Sequence, residues 1–207
     1  MEEKRVTFLC GKLTLEGMLA TPDNVAGAGV VCHPHPQYGG SMHNNVVEAA
    51  CDAMWGLNYA TLRFNFRGVG RSEGVFADGV GEVEDAVDAV KFLVSQHRNG
   101  KIPTLLAGYS FGATVALRAG LAIADVETII AIAPAIAMVD LSFIVAADKR
   151  IILISGDSDP YCPATQLRAL HKKLKGPSEL KILKGVDHFF GGAEDDVTKA
   201  IHDVLAA

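Results

Sequence analysis

This sequence of 207 residues has no long run of one charge, no Cys-x-x-Cys pair, no internal repeat and few aromatic residues. Each absence removes a class of protein. Without a basic stretch, and with a formal net charge of -5, nothing is arranged to neutralise a phosphate backbone, so nucleic acid is not an expected partner. The longest apolar run, Ile129 to Val139, is broken by Pro134 and flanked by Glu127 and Asp140, which is too short to span a bilayer. Met1-Glu2-Glu3-Lys4-Arg5 leads into a strand-like segment rather than an apolar signal core, and the expected location is therefore the cytoplasm. Cys10, Cys32, Cys51 and Cys162 fit buried free thiols in a reducing compartment. With no low-complexity tract or linker to mark a boundary, the expectation is one domain over residues 1–207.

What is present is Ala, Val, Ile and Gly in short blocks, the composition of helices layered on a tightly packed parallel sheet. Arg5 to Cys10 and Leu13 to Ala20 read as an antiparallel hairpin turning at Gly11-Lys12. Beyond them, strands are expected at Ala28 to His33, Tyr59 to Phe64, Pro103 to Gly108, Glu127 to Ala133, Arg150 to Ser155 and Glu179 to Leu183. Helices are expected at Asn44 to Leu57, Glu82 to Gln96, Phe111 to Ala122, Ala164 to Leu174 and Ala193 to Leu205. For the second helix the pattern assigns the cap to Asp78 and an inward stripe to Val83, Val87, Val90 and Val94. Strands alternating with helices imply an α/β fold, a mostly parallel sheet with an antiparallel N-terminal edge and helices on both faces. Chemistry in such sheets gathers at the carboxyl ends of the strands.

Gly108-Tyr109-Ser110-Phe111-Gly112 lies where an apolar strand runs straight into a small-residue helix, the sequence of a nucleophile elbow. A serine hydroxyl is a poor nucleophile at neutral pH and needs a base held in one tautomer. His188, just after the last strand in Gly185-Val186-Asp187-His188-Phe189-Phe190, is placed to be that base. His97, His171 and His202 lie on polar helix faces and need no special role. For the orienting acid, Asp157 and Asp159 leave one strand in a single turn, and either suits. Asp159 is preferred because it has moved further off the strand end, leaving Asp157 to bond backbone N–H groups of its own turn. An oxyanion needs donors as well. The N–H of Phe111 is one, and since Pro34 and Pro36 have none, His35 is preferred to Gln37 for the second.

These residues carry a resemblance. His33-Pro34-His35-Pro36-Gln37-Tyr38-Gly39-Gly40-Ser41-Met42-His43-Asn44, Arg63-Phe64-Asn65-Phe66-Arg67-Gly68-Val69-Gly70-Arg71-Ser72 and the elbow pentapeptide resemble the α/β-hydrolase superfamily, most closely its small lidless bacterial branch related to dienelactone hydrolases. The resemblance covers nearly the whole chain and implies a serine hydrolase of esterase type, without a cofactor or metal, using Ser110, Asp159 and His188. It departs from dienelactone hydrolases in having serine where they carry cysteine, so their substrate is not implied. Only Pro134 to Lys149 stands where many members insert a lid. The expected site is shallow, with Gln37 and Tyr38 among its substrate contacts and a wall of Ile136, Met138, Leu141, Phe143, Tyr161 and Phe189. It would take a small or protruding acyl group, and its exposed apolar wall leaves room for a homodimer.

Other readings compete. His33 and His35 alternate along a strand and so share a face, as a metal pair would, but Pro36-Gln37-Tyr38 supplies no further ligand. Gly68-Val69-Gly70-Arg71-Ser72-Glu73 nearly matches a dinucleotide fingerprint, with an acid where the third glycine belongs. Arg63 and Arg67 suit an anionic substrate or, preferably, pairing with carboxylates such as Glu82 or Asp85. The fold alone also permits a binding protein without catalysis; against that, every position the chemistry needs is chemically intact.

Overall fold

In the computed structural model, residues 2–97 and 102–206 are described. The expected domain over residues 1–207 also includes Met1, residues 98–101 and Ala207, which lie outside the described residues.

Lys4–Cys10 (β1) and Leu13–Ala20 (β2) form the expected hairpin. After it, strand and helix alternate as Gly27–Cys32 (β3), Asn45–Trp55 (α1), Tyr59–Phe64 (β4), Val80–Ser95 (α2), Thr104–Tyr109 (β5), Phe111–Ala122 (α3), Val126–Ile132 (β6), Arg150–Gly156 (β7), Ala164–His171 (α4), Ser178–Leu183 (β8) and Glu194–Leu205 (α5), except that no α-helix separates β6 from β7. The strands form one eight-stranded sheet in the order β1-β2-β4-β3-β5-β6-β7-β8. β2 pairs antiparallel with both β1 and β4, while β3 to β8 run parallel, so β2 alone opposes the rest. α1 packs against α5, and α2 packs against α3. β3 and β5 are buried at every position, because helices cover both of their faces.

The chain order β3-α1-β4 pairs β4 on the far side of β3 from β5, so the direction of strand addition reverses at β3. The carboxyl ends of β3 and β5 flank that switch point, where an open α/β sheet forms its crevice.

α2 departs from the sequence pattern. Gly79, not Asp78, is its cap, and Glu82 reaches back so that its carboxylate accepts the N–H groups of Ala77 at 2.8 Å and Gly79 at 2.7 Å. Its buried face consists of Glu82, Asp85, Ala86, Ala89, Val90 and Leu93, whereas Val83, Val87 and Val94 are only half-buried. The reason is that two acids on this face have partners: Asp85 accepts the Arg67 guanidinium at 2.7 Å and the Arg67 N–H at 2.9 Å. Arg63 is likewise engaged, donating to Glu3 at 2.6 Å and Glu48 at 2.9 Å rather than to Glu82. Both arginines are therefore structural.

Candidate active site

The elbow is built from two glycines and one strained serine. A Cβ on Gly108 would lie 2.0 Å from the Gly112 carbonyl oxygen, and a Cβ on Gly112 would lie 2.4 Å from the carbonyl oxygens of Cys32 and His33. α3 can thus start directly against β5 and the end of β3. Ser110 sits at φ 56°, ψ -115°, in the positive-φ range that non-glycine residues rarely adopt, at a cost of about 1–3 kcal/mol. Its N–H still donates to the Ile132 carbonyl at 2.9 Å, which pins the turn to β6.

Ser110 Oγ lies 3.0 Å from His188 Nε2, and His188 Nδ1 lies 2.7 Å from Asp159 Oδ2. The other oxygen of Asp159 accepts the N–H groups of Tyr161 and Cys162, both at 2.8 Å. Asp159 is the acid that bonds its own turn. Asp157 instead crosses to the next loop and accepts the Gly185 N–H at 2.7 Å. The same two loops are joined where Ser158 N–H donates to Val186 O at 3.0 Å, and where Gly156 leaves only 2.0 Å between a hypothetical Cβ and Val186 O. This pairing carries His188 toward Asp159.

Two residues not singled out in the sequence hold the His188 loop from the other side. Tyr109 donates its buried hydroxyl to the His188 carbonyl at 2.7 Å, and burial pushes the phenol pKa up, so it stays a donor. Asn45 donates to the Phe189 carbonyl at 3.2 Å and to Glu194 at 2.8 Å. Tyr109 was legible as the variable residue inside Gly-x-Ser-x-Gly; its contact with a residue 79 positions away was not.

Ser110 opens into a cleft of about 1290 Å³ between the loop after β3, the segment preceding α2, α3 and the segment after β6. The family model of the serine aminopeptidase S33 hydrolases matches residues 27–150, from β3 to the start of β7, a span that includes the elbow. The chain belongs to this family of α/β-hydrolases. An uncharacterized protein of Rickettsia prowazekii is 36% identical over 194 residues, covering 90% of this chain and 81% of that protein. An α/β serine hydrolase homologue from Coxiella burnetii is 32% identical, with a TM-score of 0.89 over 99% of this chain and 98% of that one. An α/β serine hydrolase without a lid from Xanthomonas campestris is 31% identical, with a TM-score of 0.86 over 98% and 93% of the two chains. This S33-family hydrolase also lacks a lid: residues 133–149 between β6 and β7 carry only one 3₁₀ turn, Ser142–Ile144.

In the hydrolase, His35 and Phe111, expected as oxyanion donors, and Gln37, Tyr38, Met138, Tyr161 and Phe189, expected as substrate contacts, all line the cleft. Phe143 does not line it, since its ring lies beneath the Arg118 guanidinium, 4.7 Å from ring centroid to Cζ. Leu141 is buried in the core and Ile136 packs against it, so neither belongs to the wall. Phe76, Val80, Val83 and Arg118 take their place. No periodicity points to the loop residue Phe76, but Ser110, Thr114 and Arg118 stand four residues apart on one face of α3, a spacing the sequence displays.

The metal pair is not formed. His33 is fully buried, with Nδ1 2.6 Å from the Pro34 carbonyl and Nε2 accepting the Phe66 N–H at 3.1 Å. Both ring nitrogens are engaged in opposite roles, which fixes a neutral ring, and burial lowers its pKa to about 4. The His35 ring instead lies tilted against those of Tyr38, Phe76 and Phe111, and its Nδ1 accepts the Gln37 N–H at 3.2 Å. Among the described residues, no helix is long and apolar enough to cross a membrane.

Proposed function

We propose that this hydrolase cleaves small carboxylic esters or related acyl compounds through an acyl-enzyme on Ser110. The observation that carries the reading is the unbroken relay of 3.0 Å and 2.7 Å from Ser110 Oγ through His188 to Asp159. Asp159, with two backbone donors on its other oxygen, is held as an acceptor. His188 then keeps its proton on Nδ1 and offers Nε2 to the serine hydroxyl. As Ser110 Oγ attacks the acyl carbon, Nε2 takes the proton and the Asp159 carboxylate stabilises the imidazolium. The same proton passes to the leaving oxygen when the tetrahedral adduct collapses. A water molecule entering the lidless cleft repeats the cycle and releases the acid.

Negative charge on the carbonyl oxygen calls for fixed donors. The Phe111 N–H, first in α3, has no acceptor within its own helix and adds the positive end of the helix dipole. The His35 N–H is the proposed second donor. Its loop is held by Gly40, where a Cβ would lie 2.1 Å from the Pro34 carbonyl oxygen. Gln37, Tyr38, Met138, Tyr161 and Phe189 supply the substrate walls. The cysteines are poor rival nucleophiles: burial pushes Cys162 up to about 12, and Cys32 and Cys51 are fully buried. Four buried free thiols suit a reducing compartment such as the cytoplasm.

Activated p-nitrophenyl esters of increasing acyl length test this reading. Turnover of the short acyl esters is expected, with Ser110→Ala slowing it at least about 10³-fold. Retention of most of the activity in Ser110→Ala would overturn it.

A further inference from the structure

The cleft does not end at the reacting serine. Ser110, Thr114 and Arg118 line it from successive turns of α3, so the groove follows that helix for about 12 Å beyond the hydroxyl. Val80, Val83, Val115, Met138 and Val139 make the flanks apolar, and Arg118 is the one arginine or lysine among the described lining residues.

The other arginines near the sheet face carboxylates: Arg5 meets Glu16, Arg63 meets Glu3 and Glu48, Arg67 meets Asp85, and Arg150 meets Glu179. Among the described residues, Arg118 has no carboxylate within ion-pair distance and no hydrogen-bond partner. Its guanidinium is nonetheless positioned, because it lies over the face of Phe143 at 4.7 Å. That contact leaves the N–H edges of the planar fork free for a carboxylate. Asp140, on the neighbouring segment, is occupied by the N–H and hydroxyl of Ser142, each at 2.8 Å. Among the described lining residues Asp78 is the only carboxylate, and it stands just before α2, away from α3 in sequence.

Resting on Ser110 as the acylated residue, we propose that the groove along α3 selects acyl groups ending in a carboxylate, which Arg118 receives at the far end. The apolar flanks take the methylene chain, and Phe143 holds the receptor. Beyond the small esters, which meet only the end of the cleft at Ser110, the groove therefore favours half-esters, or related acyl compounds, of α,ω-dicarboxylic acids long enough to reach Arg118.

Three p-nitrophenyl esters of one acyl length, ending in carboxylate, methyl ester or ammonium, test the proposal when compared across a series of lengths. At the length that reaches Arg118, kcat/KM for the carboxylate is expected to exceed that of the methyl ester about tenfold. The ratio approaches one in Arg118→Gln, inverts toward the ammonium ester in Arg118→Glu, and largely survives in Arg118→Lys. At short lengths the wild-type protein shows no such preference. If the methyl esters are cleaved but the ratio is the same in wild type and Arg118→Gln, or the ammonium ester is preferred by the wild type, the proposal fails while the serine mechanism stands. If no ester is cleaved and Ser110 takes no covalent label, the mechanism fails and the proposal with it.

Discussion

The Asp159 carboxylate has no idle oxygen. One is held by two backbone N–H groups and the other faces His188, at 3% exposure for the whole residue. Asp157, two positions away, is exposed and makes a structural bond to Gly185. The two acids therefore separate under the same substitution. Asp159→Asn is expected to lower kcat by on the order of 10³- to 10⁴-fold, since an amide can present a donor to Nδ1 and favour the wrong tautomer. Asp157→Asn is expected to leave kcat within a few-fold of wild type. Steady-state kinetics on one activated ester reads both. The preference for Asp159 was available from its place in the turn, but the bonding pattern was not. Sequence position gives Asp157 its own turn as the nearest partner, whereas the loops after β7 and β8 are drawn together by tertiary packing at Gly156.

At the scale of the elements, the α2 surface shows why a pattern of valines misplaced the inward face. Hydrophobic periodicity assumes that acids face water, and that fails where a cation packs opposite them. Arg67 and Asp85 are such a pair, with the Asp85 side chain fully buried. Asp85→Ala leaves the guanidinium without its main partner and is expected to destabilise the fold by about 3–5 kcal/mol, measured as a drop in the urea midpoint. The strands and helices around the site were otherwise legible, because β3, β5, β6 and β7 are short apolar blocks bounded by polar residues or turn glycines. The elbow was legible for a steric reason: the close approaches at Gly108 and Gly112 admit no side chain. The cleft wall was less so. Phe143 sits in an exposed-looking segment after β6, and only the packing of that segment decides that its ring supports Arg118 instead of the substrate.

Across the whole molecule, the site depends on a connection between sheet and loops that is sensitive to acid. His33 ties the loop carrying His35 to the chain leaving β4, through Pro34 O and Phe66 N–H. Its folded pKa, about 4, is below the ordinary 6.5, so between these values the unfolded chain binds more protons than the native one. Its contribution to stability is complete above pH 6.5 and is lost as the pH falls toward 4. Urea midpoints measured across that window should fall in the wild-type protein and fall less steeply in His33→Gln, although the variant starts lower at neutral pH. Equal slopes would show that other groups govern acid sensitivity. The central claim is that the fold turns Ser110 into an activated nucleophile by bringing His188 to it. Its most direct test is the rate of covalent labelling by a fluorophosphonate, with the adduct located by mass spectrometry. The account predicts one adduct, on Ser110, forming at least about 10²-fold more slowly in His188→Ala; an unlabelled wild-type protein, or labelling indifferent to the loss of His188, would contradict it.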